Sequence, residues 1–137
     1  MLSLPAAVHA EVDPSGLSGR VTSSVGFVGE TVNGAVYLHV PAPFAVHITG
    51  AMLGLPPAEA PADPDVNDVM GEVANMLAGG LKSWLCDQGA ACALSTPAII
   101  RGSSFKIFPA EGVSQLQFGF TSETHEGVVE VHIKLAQ

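Results

Sequence analysis

Basic residues are scarce in this chain. Five Lys and Arg stand against 13 Asp and Glu among 137 residues, a net charge of −8. The five are scattered, so the electropositive stripe needed to hold nucleic acid or an anionic membrane surface is missing. No apolar run approaches the ~18 residues of a membrane-spanning helix. The opening MLSLPAAVHA ends on small residues, as a cleavable leader would. It has no basic start, and Pro5 interrupts its short apolar stretch, so it reads as an ordinary N-terminus. Only two cysteines occur, Cys86 and Cys92, in no metal-ligand pattern. Reduced, half-buried thiols are expected, which fits the cytoplasm. The histidines His9, His39, His47, His125 and His132 are dispersed without ligand spacing, and no metal or cofactor is expected. There is no Gly-x-Ser-x-Gly elbow and no phosphate-cradling glycine loop.

Apolar residues, by contrast, make up 47% of the chain. The length suits one domain around one core, with apolar surface to spare for a partner or a second copy. Residues 1–19 carry turn formers and no period, and are expected to be irregular; the domain proper is placed at 20–137. RVTSSVGFVG and GAVYLHV are β-rich, with Val36, Leu38 and Val40 on one face and Tyr37 and His39 on the other. Asn33-Gly34 between them suggests the hairpin turn. Phe44, Ile48 and Met52 repeat every four residues before Gly54, which predicts a short helix.

A long helix is predicted over 64–86. Asp63-Pro64 opens it and Gly89 stops it. Further strands are expected near 92–101, 104–108, 115–122 and 128–135, the last two joined by a turn around His125-Glu126-Gly127. The expected class is α+β, a single domain with an antiparallel β-sheet and a long and a short helix packed on one face.

At 100° per residue the long helix separates two stripes. Val66, Val69, Met70, Val73, Met76, Leu77, Gly80, Leu81 and Trp84 form the expected core face, with Val73, Leu77 and Trp84 predicted to be buried. Asp65, Asp68, Glu72, Asn75, Gly79 and Lys82 lie opposite. Glu72 and Asn75 are i and i+3, so their side chains project together. Gly71, Ala78 and Gly79 border them with almost no bulk. Glycine inside a helix costs about 1 kcal/mol against alanine, which suggests close approach of another backbone. On the helix alone, a solvated face that happens to carry small residues is the simpler reading. Glu30-Thr31-Val32-Asn33 repeats the Glu-x-x-Asn spelling, but in the expected turn, where no helical face is shared.

The wider pattern is more specific. DVMGEVANMLAGGLKSWL followed by LSTPAIIRG resembles the CheX-like chemotaxis phosphatases of the CheC/CheX/FliY group. The matching positions are Asp68, Gly71, Glu72, Asn75 and Gly79, then Pro97, Ile99, Ile100 and Gly102. One copy of the helix motif resembles CheX rather than its two-copy relatives. The short N-terminal segment departs from the family, which usually begins with a substantial helix.

The resemblance implies hydrolysis of the aspartyl-phosphate of a phosphorylated CheY-like response regulator. Asn75 would hold the attacking water and Glu72 would engage the regulator's active-site lysine. Asp68, Gly71 and Gly79 would line the docking face, and magnesium would belong to the regulator. A homodimer that leaves Glu72 and Asn75 accessible is expected. Two other readings stay open: a CheX-like module that docks a regulator or a flagellar-switch protein without catalysis, and a small-molecule scaffold, which would need an enclosed apolar pocket near the long helix.

Overall fold

The computed structural model describes the backbone of residues 7–10 and all of residues 19–56, 58–103 and 105–135. Its strands are β1 (Ala7–Ala10), β2 (Arg20–Gly29), β3 (Val32–Pro41), β4 (Cys92–Leu94), β5 (Ala98–Gly102), β6 (Ser114–Ser122) and β7 (His125–Leu135). Its helices are α1 (Ala42–Leu53) and α2 (Asp63–Asp87). The strands form one sheet in the order β1-β6-β7-β3-β2-β4, with β5 also on β2, and every pairing is antiparallel. Both helices lie on one face. The α+β architecture expected from the sequence is the one observed.

Alternation along the strands builds that face. Val21, Val25, Phe27, Val36, Leu38 and Val40 are at most 2% exposed and meet α1 and α2 in two adjoining clusters. Phe44 and Ile48 of α1 pack on Val66, Val69 and Met70 of α2. The C-cap Gly54 takes φ 68, as a left-handed cap requires.

Several expectations are corrected. Ala7–Ala10, placed in an irregular segment, pairs with β6 as a strand; residues 1–6 and 11–18 lie outside the described residues. The β2–β3 turn is at Glu30-Thr31, not Asn33-Gly34. Gly34 sits inside β3 opposite Phe27, and a Cβ there would come within 1.9 Å of the His132 carbonyl oxygen. Its glycine answers a close strand approach rather than a turn. The β6–β7 turn is likewise earlier than expected, at Glu123-Thr124, with Glu123 at φ 57.

The run 92–101 is two strands. From Leu94 to Ala98 is one residue more than from Phe27 to Ser24 on the partner strand, so Ser95–Pro97 bulge out of the ladder. Proline, without an N–H, suits such a position. No strand forms over 105–110, and residue 104 lies outside the described residues. This stretch links β5 on one side of the sheet to β6 on the other. Phe105 lies on the face away from the helices, its ring 3.7 Å from the Arg20 guanidinium carbon.

Beneath it is a buried polar network. His39 Nε2 donates to Glu130 Oε1 at 2.9 Å, and Thr22 Oγ1 donates to His39 Nδ1 at 2.8 Å. The carboxylate only accepts, so His39 Nε2 carries a proton. His132 Nε2 donates to Glu130 Oε2 at 2.7 Å, and Gln115 Nε2 donates to the same oxygen. Burial pushes the Glu130 carboxyl up, but the hydrogen bonds from His39, His132 and Gln115 and the charge of His39 outweigh it and bring the pKa from 4.5 to about 2. The Tyr37 phenol is pushed up, by burial and then by the Glu130 charge.

A carboxylate whose folded pKa lies below its unfolded value stabilises the fold above the unfolded pKa. That contribution is lost as pH falls from 4.5 toward about 2. Denaturant unfolding at stepped pH should therefore show about 2–3 kcal/mol disappearing over this window through Glu130. Glu130→Gln should be less stable at pH 7 and have a flatter acid limb; an unchanged limb would remove the network from the account of acid stability.

Candidate functional site

The site is assembled on α2, and its orientation follows from small residues on the buried side. Gly71, Ala74 and Ala78 are buried, with Ala74 and Ala78 at no more than 1% exposure. A Cβ on Gly71 would stand 3.2 Å from Pro97 Cγ and 4.0 Å from Ile99 Cδ1. The bulge before β5 therefore presses its proline ring onto the bare helix backbone. This joins the two halves of the sequence motif, and it accounts for Gly71 by packing within the chain, facing inward rather than toward a docking partner. Arg101, at the unspecified position of the β5 motif, fixes the same junction. Its Nε and Nη2 both donate to Asn67 Oδ1, at 2.9 and 2.8 Å, and Nη2 is 3.8 Å from Asp63. The motif spelling carries no signal for Asn67 or Arg101 as a pair.

With that side buried, Asp68 and Glu72 are exposed, and Asn75 and Gly79 are half-buried along its edge. Among the described residues, neither Glu72 nor Asn75 has a hydrogen-bond or ion-pair partner. Both are held by a helix, one turn apart, with their polar groups free for another molecule. Proline in the first turn and the acidic residues Asp63 and Asp65 suit the N-terminus, where the cap residue is Ala62 rather than the expected Asp63. A Cβ on Gly79 would meet nothing within 4 Å, so here packing within the chain supplies no reason for glycine.

The apolar stripe was misplaced by a fraction of a turn. Val66, Val69 and Met70 are buried, Val73 is half-buried, but Leu77 is 38% and Trp84 58% exposed. The buried side is centred on Gly71, Ala74, Ala78 and Leu85, because small residues let the helix sit close to the sheet. Large side chains dominated the sequence pattern and drew the predicted face toward themselves.

Other chemistry is less accessible. Thr22, His39 and Glu130 follow the order of a hydrolytic relay, yet each is at most 1% exposed, so no substrate reaches them. The fold pairs histidines that are scattered in sequence: His39 and His132 share Glu130, and the rings of His47 and His125 are 4.8 Å apart. No group of three or more metal-ligating side chains occurs among the described residues. Surface depressions lie beside α1 and the following connector, and beside the β2–β3 turn, both away from the Glu72 face. Cys86 is exposed and Cys92 half-buried; both are free.

The family sequence profile described as "Chemotaxis phosphatase CheX" matches residues 21–121. The crystal structure of the chemotaxis protein CheX from Vibrio vulnificus is 27% identical, with 98% of this chain and 86% of that one covered and a TM-score of 0.79. A chemotactic CheC-like protein from Shewanella oneidensis is 26% identical over 97% and 86%, with a TM-score of 0.77. The structure of a CheX–CheY–BeF3–magnesium complex from Borrelia burgdorferi is 20% identical over 100% and 86%, at a TM-score of 0.69, a likeness of fold. No curated protein sequence matches.

The two helix glycines should respond oppositely to substitution. Gly79→Ala should stabilise the fold by about 0.5–1 kcal/mol, the helix-propensity gain with no clash. Gly71→Val should cost roughly 1–3 kcal/mol by driving into Pro97. Chemical denaturation of the two variants measures both, and equal effects would mean that Gly71 and Pro97 are not in contact.

Proposed function

The chain belongs to the CheX chemotaxis phosphatase family, and we propose that it hydrolyses the aspartyl-phosphate of a CheY-like response regulator with Asn75 and Glu72 as its working residues. The observation that carries this reading is the Glu72–Asn75 pair, unpartnered among the described residues and held on a helix face whose motif spelling is the family's.

The chemistry suits so small a constellation. An acyl phosphate is already activated, so the catalyst mainly has to place water in line with phosphorus while the regulator's own magnesium neutralises the phosphoryl charge. Asn75 enters the regulator's active site and orients that water through its amide, which donates or accepts without repelling the phosphoryl oxygens. Water adds to phosphorus, the bond from phosphorus to the aspartyl oxygen breaks, and inorganic phosphate and a free carboxylate remain. Glu72 pairs with a regulator lysine and sets the docking register, in an ion pair closed off from water on binding.

Asp65, Asp68 and Glu72 give the same face an acidic character that suits a basic partner surface, and Gly79 leaves room for it. The Borrelia relative was solved in complex with CheY, which supports a regulator of that class as the partner here. No helix among the described residues is long and apolar enough to cross a membrane, which agrees with action on a cytoplasmic regulator.

Asn75→Ala should leave stability within about 0.5 kcal/mol of the parent. It should raise the hydrolytic barrier by about 3–4 kcal/mol, several hundredfold in rate, by analogy with removal of an oxyanion donor. Glu72→Ala should weaken docking as well, while Glu30→Ala and Asn33→Ala should change neither. Phosphate release from phosphorylated receiver domains measures all four. If Asn75→Ala dephosphorylates the regulator as fast as the parent, the chain is a docking module and not the phosphatase.

A further inference from the structure

The two contacts that fasten β5 to α2 also set a direction. Arg101 meets Asn67 and Pro97 meets Gly71, so strand and helix run antiparallel. Each step back along the strand is a step forward along α2. Leu94 continues the series, packed against the cluster that holds Ala74 and Ala78. Thr96, between Leu94 and Pro97, therefore stands at the level of Asn75. Asn75 is only about 40° around the helix from Gly71, toward this strand, which is why it is half-buried while Glu72 is exposed.

The bulge that carries Thr96 is held on both sides. The Ser95 N–H donates to the Gly26 carbonyl at 2.8 Å, and Ser95 Oγ accepts from the Gly26 N–H at 2.8 Å. The same hydroxyl donates to the Thr96 carbonyl at 3.1 Å. On the other side the Pro97 ring restricts the backbone and rests on Gly71. Thr96 is exposed between these anchors, and its own hydroxyl makes no hydrogen bond among the described residues. Ser95 serves the bulge; Thr96 has nothing to do within the fold. Strand bulges beside active sites commonly re-aim a side chain in this way.

We propose that the docking surface extends from α2 across this seam, and that the Thr96 hydroxyl hydrogen-bonds the main chain of the response regulator beside the point where Asn75 enters it, an inference that rests on the docking half of the function proposed above and not on catalysis. Continuity chooses the occupant. Thr96 and Asn75 stand at one level of one seam, so the body that receives Asn75 must pass over Thr96. Charge chooses the contact. Asp65, Asp68 and Glu72 on α2 suit basic side chains, whereas Ser95-Thr96-Pro97 is uncharged. A hydroxyl both donates and accepts, and so matches the backbone N–H and C=O groups that loops around an active-site cleft expose. Because the bulge is fixed before docking, little ordering is lost when the contact forms.

Titration of the full-length chain with receiver domains activated by beryllofluoride and magnesium measures docking without turnover. Thr96→Val keeps the branched shape and removes the hydroxyl; it should weaken the Kd about fivefold, as loss of one neutral hydrogen bond does. Thr96→Ser keeps the hydroxyl and should bind like the parent. Thr96→Trp should weaken docking by roughly tenfold or more, because bulk on the seam blocks the regulator's approach. All three replace an exposed side chain and should keep the circular dichroism of the parent. Thr96→Val binding as tightly as the parent, Thr96→Ser binding as weakly as Thr96→Val, or Thr96→Trp without effect would each overturn the proposal. A parent that binds none of a panel of activated receiver domains would overturn it together with the docking reading. Phosphate release by Asn75→Ala, measured alongside, judges the phosphatase reading separately: a chain that docks through Thr96 without hydrolysis supports this contact and removes only the catalysis.

Discussion

The contact on which the rest of this structure depends is Pro97 against the bare backbone of Gly71. A helix lying on a sheet can rotate about its axis, and large apolar side chains tolerate several rotations. A proline ring pressed where a Cβ would stand at 3.2 Å tolerates few. Ala74 and Ala78 extend the close approach along α2. Fixing that side inward turns Glu72 outward and leaves Asn75, one turn after Gly71, half-buried at the edge of the contact. The extra residue between β4 and β5 delivers the proline, so a local irregularity in one strand sets the direction of two side chains on a helix. Arg101 secures the arrangement by holding Asn67 with two donors from the next strand position but one after Ile99.

The opposite face of the sheet is stabilised by different means. A connection from β5 to β6 leaves the plane of the sheet and forms no strand of its own, and Phe105 from it stacks on Arg20. Beneath lies a carboxylate that would be costly to bury alone. Glu130 is tolerated because His39, His132 and Gln115 all donate to it, and Thr22 in turn satisfies His39. Two faces of one sheet thus use opposite solutions: apolar interdigitation under the helices, and a hydrogen-bonded polar network around Glu130 under irregular chain. The network resembles catalytic machinery in its order of groups and differs from it in access. Exposure separates it from the Glu72–Asn75 pair, which has no partner among the described residues and in which Glu72 is exposed and Asn75 half-buried.

Charge and apolar surface are divided around α2 in the same way. Its acidic residues cluster on the face that carries Glu72, where a basic partner gains from them. Its large apolar residues Leu77 and Trp84 project sideways and are exposed. One helix can therefore present two separate surfaces because its third side is committed to the sheet through small residues rather than large ones.

The sequence by itself determined the element types, the alternation of the strands, the α1 periodicity and the pairing of Glu72 with Asn75 on one helical face. Each follows from spacing within a single element, and local geometry converts spacing into direction. It also carried the family pattern, whose two halves are 18 residues apart at the nearest point, Gly79 and Pro97. Tertiary structure decided what depends on contact between distant residues. Asn33-Gly34 looked like a turn, yet Gly34 is needed because the His132 carbonyl comes alongside it. Trp84 and Leu77 looked buried by periodicity, but burial needs a covering element, and none among the described residues lies over that end of α2. The scattered histidines showed no spacing because their partners are brought together by strand register around Glu130, and by the packing of α1 beside β7 for His47 and His125. Periodicity states which side chains share a direction; only the assembled neighbours decide whether that direction leads to core, to solvent or to a partner.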